Sequence, residues 1–327
     1  MTGTVRILSI DGGGVRGIIP ATVLSHLERA ANGFPIHRMF DLVSGTSTGA
    51  ILAAGLTRPS PLSAAALSDL YLSRSSEIFA RSRISYIRSA ISGPKYDAGP
   101  LEHILDGQFG PLSLSQSITP LLIPCYDIER REAHFFKSWR AAANPAVNFA
   151  LKDVLRAATA APTYFSPALV HSTAGDRLAA IDGALFGNNP GMCALAEARL
   201  MFPQANRFIM VSLGVGEFRK PIRYEKAKAW GLLAWAPPVI DCAMDGTADT
   251  VHYQITECFR ENVEYHRFQI DLNGGDGPTD CIDDASDANI LKLLNKGKRV
   301  ASDNADTIGR LAVTLPSYAG LNELTLT

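Results

Sequence analysis

Apolar positions in this chain fall into short unbroken runs separated by stretches of helical spacing. The two periods identify buried strands and flanking helices. Residues 5–10 form the first strand-length run, and Ile18, Ile19, Val23, Leu24 and Leu27 mark a helix over residues 18–31. A second buried strand covers residues 39–43 and ends in Ser44-Gly45, with helical composition resuming over residues 50–56. Further helices are expected over residues 62–79, from residue 97, over 147–158, from Asn188-Asn189-Pro190, and over 247–260. Strands are expected over residues 119–126, 132–138, 178–181, 207–213 and 264–271. Asp283-Asp284-Ala285-Ser286 reads as a cap opening a long amphipathic helix, or a pair of them, over about residues 289–315. Strands alternating with helices indicate an α/β protein. With no internal repeat or low-complexity linker, a single domain over residues 1–327 is expected.

Two glycine-rich corners interrupt this pattern. Asp11-Gly12-Gly13-Gly14-Val15-Arg16-Gly17 joins the first strand to the first helix, where exposed backbone N–H groups can converge on negative charge. Gly45-Thr46-Ser47-Thr48-Gly49 occupies the second corner. Gly45 and Gly49 let strand and helix approach closely while Ser47 is held proud of the turn, the nucleophile-elbow arrangement. Ser47 then stands at a helix N-terminus, whose free N–H groups and dipole favour a developing oxyanion.

The first corner also satisfies the dinucleotide fingerprint Gly-x-Gly-x-x-Gly, which raises a nucleotide-binding module as a rival. That fingerprint needs an acidic residue closing the second strand to hold a ribose. Here the strand closes in Val43-Ser44-Gly45, with Asp41 inside it. A third feature is Asp182, at the end of a strand and followed by Gly183-Ala184. It is expected at the same edge of a parallel sheet as the elbow. A serine nucleophile needs a base and an oxyanion hole. His252 and His266 follow Asp182 in the chain, in helical and strand patterns respectively, and Asp182 can itself serve as the base.

Composition narrows the class. A net charge of −1 and a pI near 6.7 give no global pull toward nucleic acid. Five scattered cysteines form no Cys-x-x-Cys pair, which argues against a disulfide framework or a zinc site. No signal-peptide layout and no apolar run of membrane-spanning length are present in the sequence. Cytoplasmic action, at the inner face of a membrane, is the expectation. Asp271-Leu272-Asn273-Gly274-Gly275-Asp276 resembles a calcium loop only loosely, because Asp276 takes the glycine position and Ile282 the final acid position.

Together these residues resemble the patatin-like phospholipase family of lipid acyl hydrolases. The likeness rests on Asp11-Gly12-Gly13-Gly14-Val15-Arg16-Gly17, Gly45-Thr46-Ser47-Thr48-Gly49, the bend Ala160-Ala161-Pro162-Thr163-Tyr164-Phe165, Asp182-Gly183-Ala184 with Asn188-Asn189-Pro190, and Ser212-Leu213-Gly214-Val215-Gly216. These blocks span about residues 5–216; Val215 stands where the family often has threonine. The resemblance implies a three-layer αβα sandwich with a mostly parallel central sheet. It also implies a Ser47–Asp182 dyad without histidine, and an oxyanion hole from Gly12, Gly13 and Gly14 with Arg16 lending positive potential. No cofactor or metal is implied. Phospholipid or lysophospholipid is the implied substrate, with acyl transfer on a related scaffold as the alternative; such transferases tend to carry histidine where this chain has Thr46.

Two basic stretches bear on membrane contact. Residues 80–88 interleave Arg81, Arg83 and Arg88 with Tyr86 and Ile87, and read as a solvated surface or loop. Residues 217–240 combine Arg219, Lys220, Arg223, Lys226 and Lys228 with Trp230 and Trp235. That make-up suits either a membrane interface or a lid over an apolar pocket, and raises the hypothesis of a small-molecule activator bound nearby.

Overall fold

The computed structural model describes residues 3–79, 93–219, 221–274 and 277–317. Among these residues eight strands form one sheet: β1 (Thr4–Ile10), β2 (Leu42–Gly45), β3 (Leu121–Asp127), β4 (Glu132–Lys137), β5 (Ala168–His171), β6 (Arg177–Asp182), β7 (Arg207–Leu213) and β8 (Val263–Phe268). The helices are α1 (Ile18–Ala30), α2 (Thr48–Thr57), α3 (Ala64–Ile78), α4 (Gly99–Phe109), α5 (Ser138–Ala143), α6 (Leu151–Ala158), α7 (Ala184–Gly187), α8 (Gly191–Met201), α9 (Tyr224–Ala227), α10 (Leu232–Cys258), α11 (Asp287–Asp303) and α12 (Ala305–Ser317).

Five strands run parallel in the order β3-β2-β1-β7-β8, and β4, β6 and β5 form an antiparallel wing. Alternate residues of the parallel strands enter different cores. Leu8, Ile10, Val43, Ile123 and Val211 face the layer containing α1, α2 and α6, whereas Val5, Ile7, Leu42, Leu122 and Met210 face α8 and the end of α10. Burial on both faces explains why these strands read as continuous apolar runs rather than alternating ones. The architecture is a three-layer αβα sandwich with a mostly parallel sheet.

The wing is where the expected geometry changes. β2 pairs with the start of β3 (Ser44 opposite Leu122), and β6 pairs antiparallel with its end (Cys125 opposite Asp182). β4 occupies the other edge of β3, so β2 and β6 share one edge and point at each other. Asp182 therefore arrives on an antiparallel strand, head-on to the elbow, and not on a parallel neighbour.

Smaller departures have local causes. The helix expected from residue 147 begins at Leu151, because Phe149 and Ala150 bridge to Ser172 and Ser113. Strand β5, alternating buried and exposed over four residues, is too short to stand out as a pattern. Helix α10 extends back to Leu232, through residues 237–238, whose two prolines argue against a helix there. The C-terminal segment is a pair of helices, α11 and α12, and the basic stretch 80–88 lies outside the described residues.

At the far end of the sheet from the elbow, Arg6 is 1% exposed and grips Asp41 twice, Nε to Oδ2 at 2.9 Å and Nη2 to Oδ1 at 2.6 Å. Its Nη1 donates to the Leu315 carbonyl at 2.9 Å, which ties α12 to β1. Removing one partner of such a pair leaves a charge without compensation. Arg6→Ala is therefore expected to cost about 3 kcal/mol in urea denaturation; a loss below about 1 kcal/mol, typical of surface pairs, would contradict this anchoring role.

Candidate active site

Ser47 adopts φ 53° and ψ −121°, in the left-handed region that side chains other than glycine avoid. The surroundings force this. A Cβ on Gly45 would fall 2.1 Å from the Gly49 carbonyl oxygen, and one on Gly49 would fall 2.3 Å from that of Ile10. Strand β2, helix α2 and the end of β1 thus meet backbone to backbone. Thr46 fixes the corner, donating its N–H to the Ile10 carbonyl at 3.1 Å and its hydroxyl to the Gly187 carbonyl at 2.6 Å. Ser47 occupies the N-cap of α2, yet its side chain caps nothing. It instead lines one cavity with the Asp182 carboxyl, whose pKa it pulls down.

Asp182 is 2% exposed, and Oδ1 accepts the Ala184 N–H at 2.9 Å. Gly183 makes the turn after it, since a Cβ there would stand 2.6 Å from the Pro124 carbonyl oxygen. Burial pushes the Asp182 carboxyl up to about 7, against the opposing pull of the Ser47 hydroxyl and the Ala184 N–H. A carboxylate poised near neutral pH suits proton transfer in both directions. His252 lies against the Tyr265 hydroxyl at 3.5 Å and His266 against Glu264 at 3.1 Å. Neither has a hydrogen bond to Ser47.

The glycine loop covers Ser47 from the β1 side. Gly12 donates its N–H to the Asn188 carbonyl at 3.1 Å, so it is not an available oxyanion donor; its part is close approach, since a Cβ there would stand 3.1 Å from the Ser47 Cβ. Among the described residues the N–H groups of Gly13, Gly14 and Thr48 have no backbone partner. Gly13, Gly14 and Thr48 line the same cavity as Ser47 and Asp182. Thr48 has a recognisable signal, as the residue following the nucleophile.

Arg16 departs from expectation. It does not line the cavity of Ser47 but points behind the loop, its Nε donating to the Gly13 carbonyl and Nη1 to that of Gly216, each at 3.4 Å. It braces the loop from outside. Val15 donates its N–H to the Ile282 carbonyl at 2.9 Å, and Val215 packs so closely on Gly13 that a Cβ there would be 2.5 Å away. Gly14, at φ +59°, would carry a Cβ 2.1 Å from the same Ile282 oxygen. This crowding, and the engagement of Asp41 by Arg6 at the opposite end of the sheet, argue against a dinucleotide on the fingerprint.

Arg267 on β8 has no counterpart in the sequence reading. It reaches across β7, donating to the Ser212 hydroxyl at 2.9 Å, and forms a two-pronged ion pair with Asp11 at 2.9 and 2.5 Å. Burial opposes the Arg267 charge, and Asp11 more than offsets it, so its pKa stays raised. Asp11 thereby anchors the loop instead of facing substrate.

From Ser47 a narrow slot of about 100 Å³ runs between α3 and α4, walled by Ile51, Leu70, Leu101, Ile104, Phe109 and Phe165. Ile240 and Met244 of α10 close its outer side. Tyr71 secures the wall to the elbow: its hydroxyl donates to the Thr48 carbonyl at 2.9 Å and also hydrogen-bonds the Thr48 hydroxyl. Past the slot, the opposite face of residues 222–239 exposes Ile222, Tyr224, Leu232, Trp235 and Val239, with Trp230 edge-on to Trp235 at 5.2 Å. Among the described residues no helix is long and apolar enough to cross a membrane, and no group of three or more His, Cys, Asp or Glu is arranged to hold a metal.

The patatin-like phospholipase family profile matches residues 8–194. The chain is 31% identical to Patatin-like protein 3 of Arabidopsis thaliana, over 93% of this chain and 83% of that protein. It is 32% identical to Patatin-like protein 2 of Oryza sativa subsp. indica, over 93% and 85%. Among solved structures it is similar to VipD from Legionella pneumophila, with a TM-score of 0.36 and 13% identity over 91% of this chain and 67% of that one.

The Asp182 environment has a thermodynamic consequence. Its folded pKa of about 7 lies above the ordinary 3.8, so the folded protein holds a proton that the unfolded chain releases. This contribution is full below pH 3.8 and is lost as pH rises through about 7. Urea midpoints are expected to show Asp182→Asn gaining on wild type across that window, by on the order of a few kcal/mol. Parallel pH profiles for the two proteins would contradict it.

Proposed function

Because the chain belongs to the patatin-like phospholipase family, we propose that it is a lipid acyl hydrolase that cleaves fatty-acyl esters of phospholipids or lysophospholipids through Ser47 and Asp182. One observation carries this reading: a strained serine sharing a cavity with a buried carboxyl near neutral pKa, at the mouth of an apolar slot.

The acyl chain enters the slot, which brings the ester carbonyl to Ser47. Ser47 Oγ attacks the carbonyl carbon while its proton passes to the Asp182 carboxylate. The resulting oxyanion is held by the Gly13, Gly14 and Thr48 N–H groups at the positive end of α2, each donor contributing on the order of 3 kcal/mol by analogy with other serine hydrolases. Collapse breaks the ester C–O bond, and Asp182 returns the proton to the leaving alkoxide. Asp182 then takes a proton from water as it attacks the acyl-enzyme, and fatty acid leaves with Ser47 reprotonated. The exposed apolar face at residues 222–239, flanked by Arg219, Arg223, Lys226 and Lys228, suits peripheral contact with an anionic bilayer. Contact there would bear directly on Ile240 and Met244, so the slot would open toward the lipid phase.

Ser47→Ala and Asp182→Asn, each folded by circular dichroism, are expected to lose fatty-acid release from phospholipid vesicles at least roughly a thousandfold. Wild-type kcat/KM should rise with pH through about 7 as Asp182 ionises. Full activity in folded Ser47→Ala would sink the mechanism.

A further inference from the structure

Behind the glycine loop lies a second cavity, of about 760 Å³, with charges of both signs on its wall. Two of its acid–base pairs satisfy each other: Asp11 with Arg267, and Glu217 with Arg219 at 2.9 Å. The charges left over are Arg16 on one side and Asp245 and Asp249, from α10, on the other. Among the described residues none of these three forms an ion pair, and the side-chain hydrogen bonds of Arg16 are both long, at 3.4 Å.

Asn188 stands in the partition between this cavity and Ser47. It is 7% exposed and lines the cavity, while its Oδ1, which has no hydrogen-bond partner among the described residues, is packed against Gly12. The cavity is also adjacent to the chemistry. A Cβ on Gly12 would stand 2.7 Å from Asn188 Oδ1 and 3.1 Å from the Ser47 Cβ, so Asn188 and Ser47 pack together against Gly12. Met244 lines both this cavity and the apolar slot.

We infer that this cavity receives the headgroup of the phospholipid whose acyl chain fills the slot, and that phosphoethanolamine is the headgroup it suits. The inference rests on the hydrolase reading above. Arg16 meets the phosphate, and Asp245 and Asp249 meet the ammonium group. A primary ammonium brings three N–H donors to these carboxylates. Choline brings none and is recognised by cages of aromatic faces; the one aromatic ring among the lining carbocycles here, Phe218, is already faced by Arg16 at 6.0 Å. Phosphoglycerol would bring only neutral hydroxyls to the two carboxylates and leave their charge without a cation. Arg16 and Asp245 act on each other across the cavity: burial holds the Arg16 pKa down while Asp245 and Asp241 pull it up, and burial raises Asp245 against the pull of Arg16.

The test is fatty-acid release from detergent mixed micelles of phosphatidylethanolamine, phosphatidylglycerol or phosphatidylcholine with identical acyl chains. Each rate is divided by the same protein's rate on a short-chain ester without a headgroup, so that a general loss of activity cancels. Wild type is expected to favour phosphatidylethanolamine roughly fivefold, equivalent to about 1 kcal/mol. The double variant Asp245→Asn/Asp249→Asn is expected to bring that ratio close to one. Equal normalised rates in wild type, or a preference kept by the double variant, overturn the inference while leaving Ser47-dependent hydrolysis standing. Calorimetric titration of Ser47→Ala with glycerophosphoethanolamine decides the cavity independently of turnover. Saturable binding that the two Asn substitutions abolish supports it, and absence of binding overturns it even if wild type hydrolyses no ester.

Discussion

One edge of β3 serves two strands that run toward each other, and the candidate active site exists because of it. Ser44 of β2 is held opposite Leu122 and Asp182 of β6 opposite Cys125, so the gap between the strand ends is fixed by backbone ladder bonds. Side chains launched from the two ends, Ser47 and Asp182, meet across that gap. Loops could not hold them so closely without further support, because loop backbones lack the ladder that sets register. The remaining architecture supports the gap from below: α6 and the bend after it lie beneath, with the Asp182 N–H donating to the Ala160 carbonyl at 3.0 Å.

The glycine loop is rigid for a related reason. In the proposed reaction its donors point at a charge that forms only as the bond is made, and preorganised dipoles help most when they need no reorganisation at that moment. Asn188, Ile282 and Arg16 hold it through backbone carbonyls and long side-chain contacts, and Asp11 is locked to Arg267 across β7. The buried Asp11–Arg267 pair is costly to desolvate and contributes geometry more than stability. Any ligand in the cavity behind the loop would touch Arg16 and Asn188, two of the residues that brace the oxyanion donors. In the proposed reading, headgroup and catalytic geometry are thereby in mechanical contact.

In the proposed reaction, burial does two jobs at Asp182. It raises the carboxyl toward neutrality, which makes proton return to the leaving group feasible, and it disfavours the ionised form on which the first step depends. The Ser47 hydroxyl and the Ala184 N–H moderate the second effect. A histidine between serine and acid would add a further proton carrier, but the close approach of Ser47 to Asp182 leaves the proton a direct path.

Local chemistry made much of this legible in the sequence. A Cβ on Gly45, Gly49 or Gly183 would stand only 2.1 to 2.6 Å from a backbone oxygen, so their spacing around Ser47 and Asp182 is itself a structural statement. The continuous apolar runs of β1, β2 and β7 follow from burial on both faces, and their bounds were readable to within a few residues. Tertiary structure alone decided the rest. Which direction β6 runs, and hence how Asp182 approaches, depends on strand order. So does the pairing of Asp11 with Arg267, separated by 256 positions, and the diversion of Arg16 to the outer side of the loop. The N–H of Gly12 is indistinguishable in sequence from those of Gly13 and Gly14, and only the arrival of the Asn188 carbonyl removes it from the donor set. A sequence records which groups a turn can tolerate, because steric exclusion acts between neighbours. It does not record which distant groups share an edge or a cavity, because that is fixed by the way layers stack.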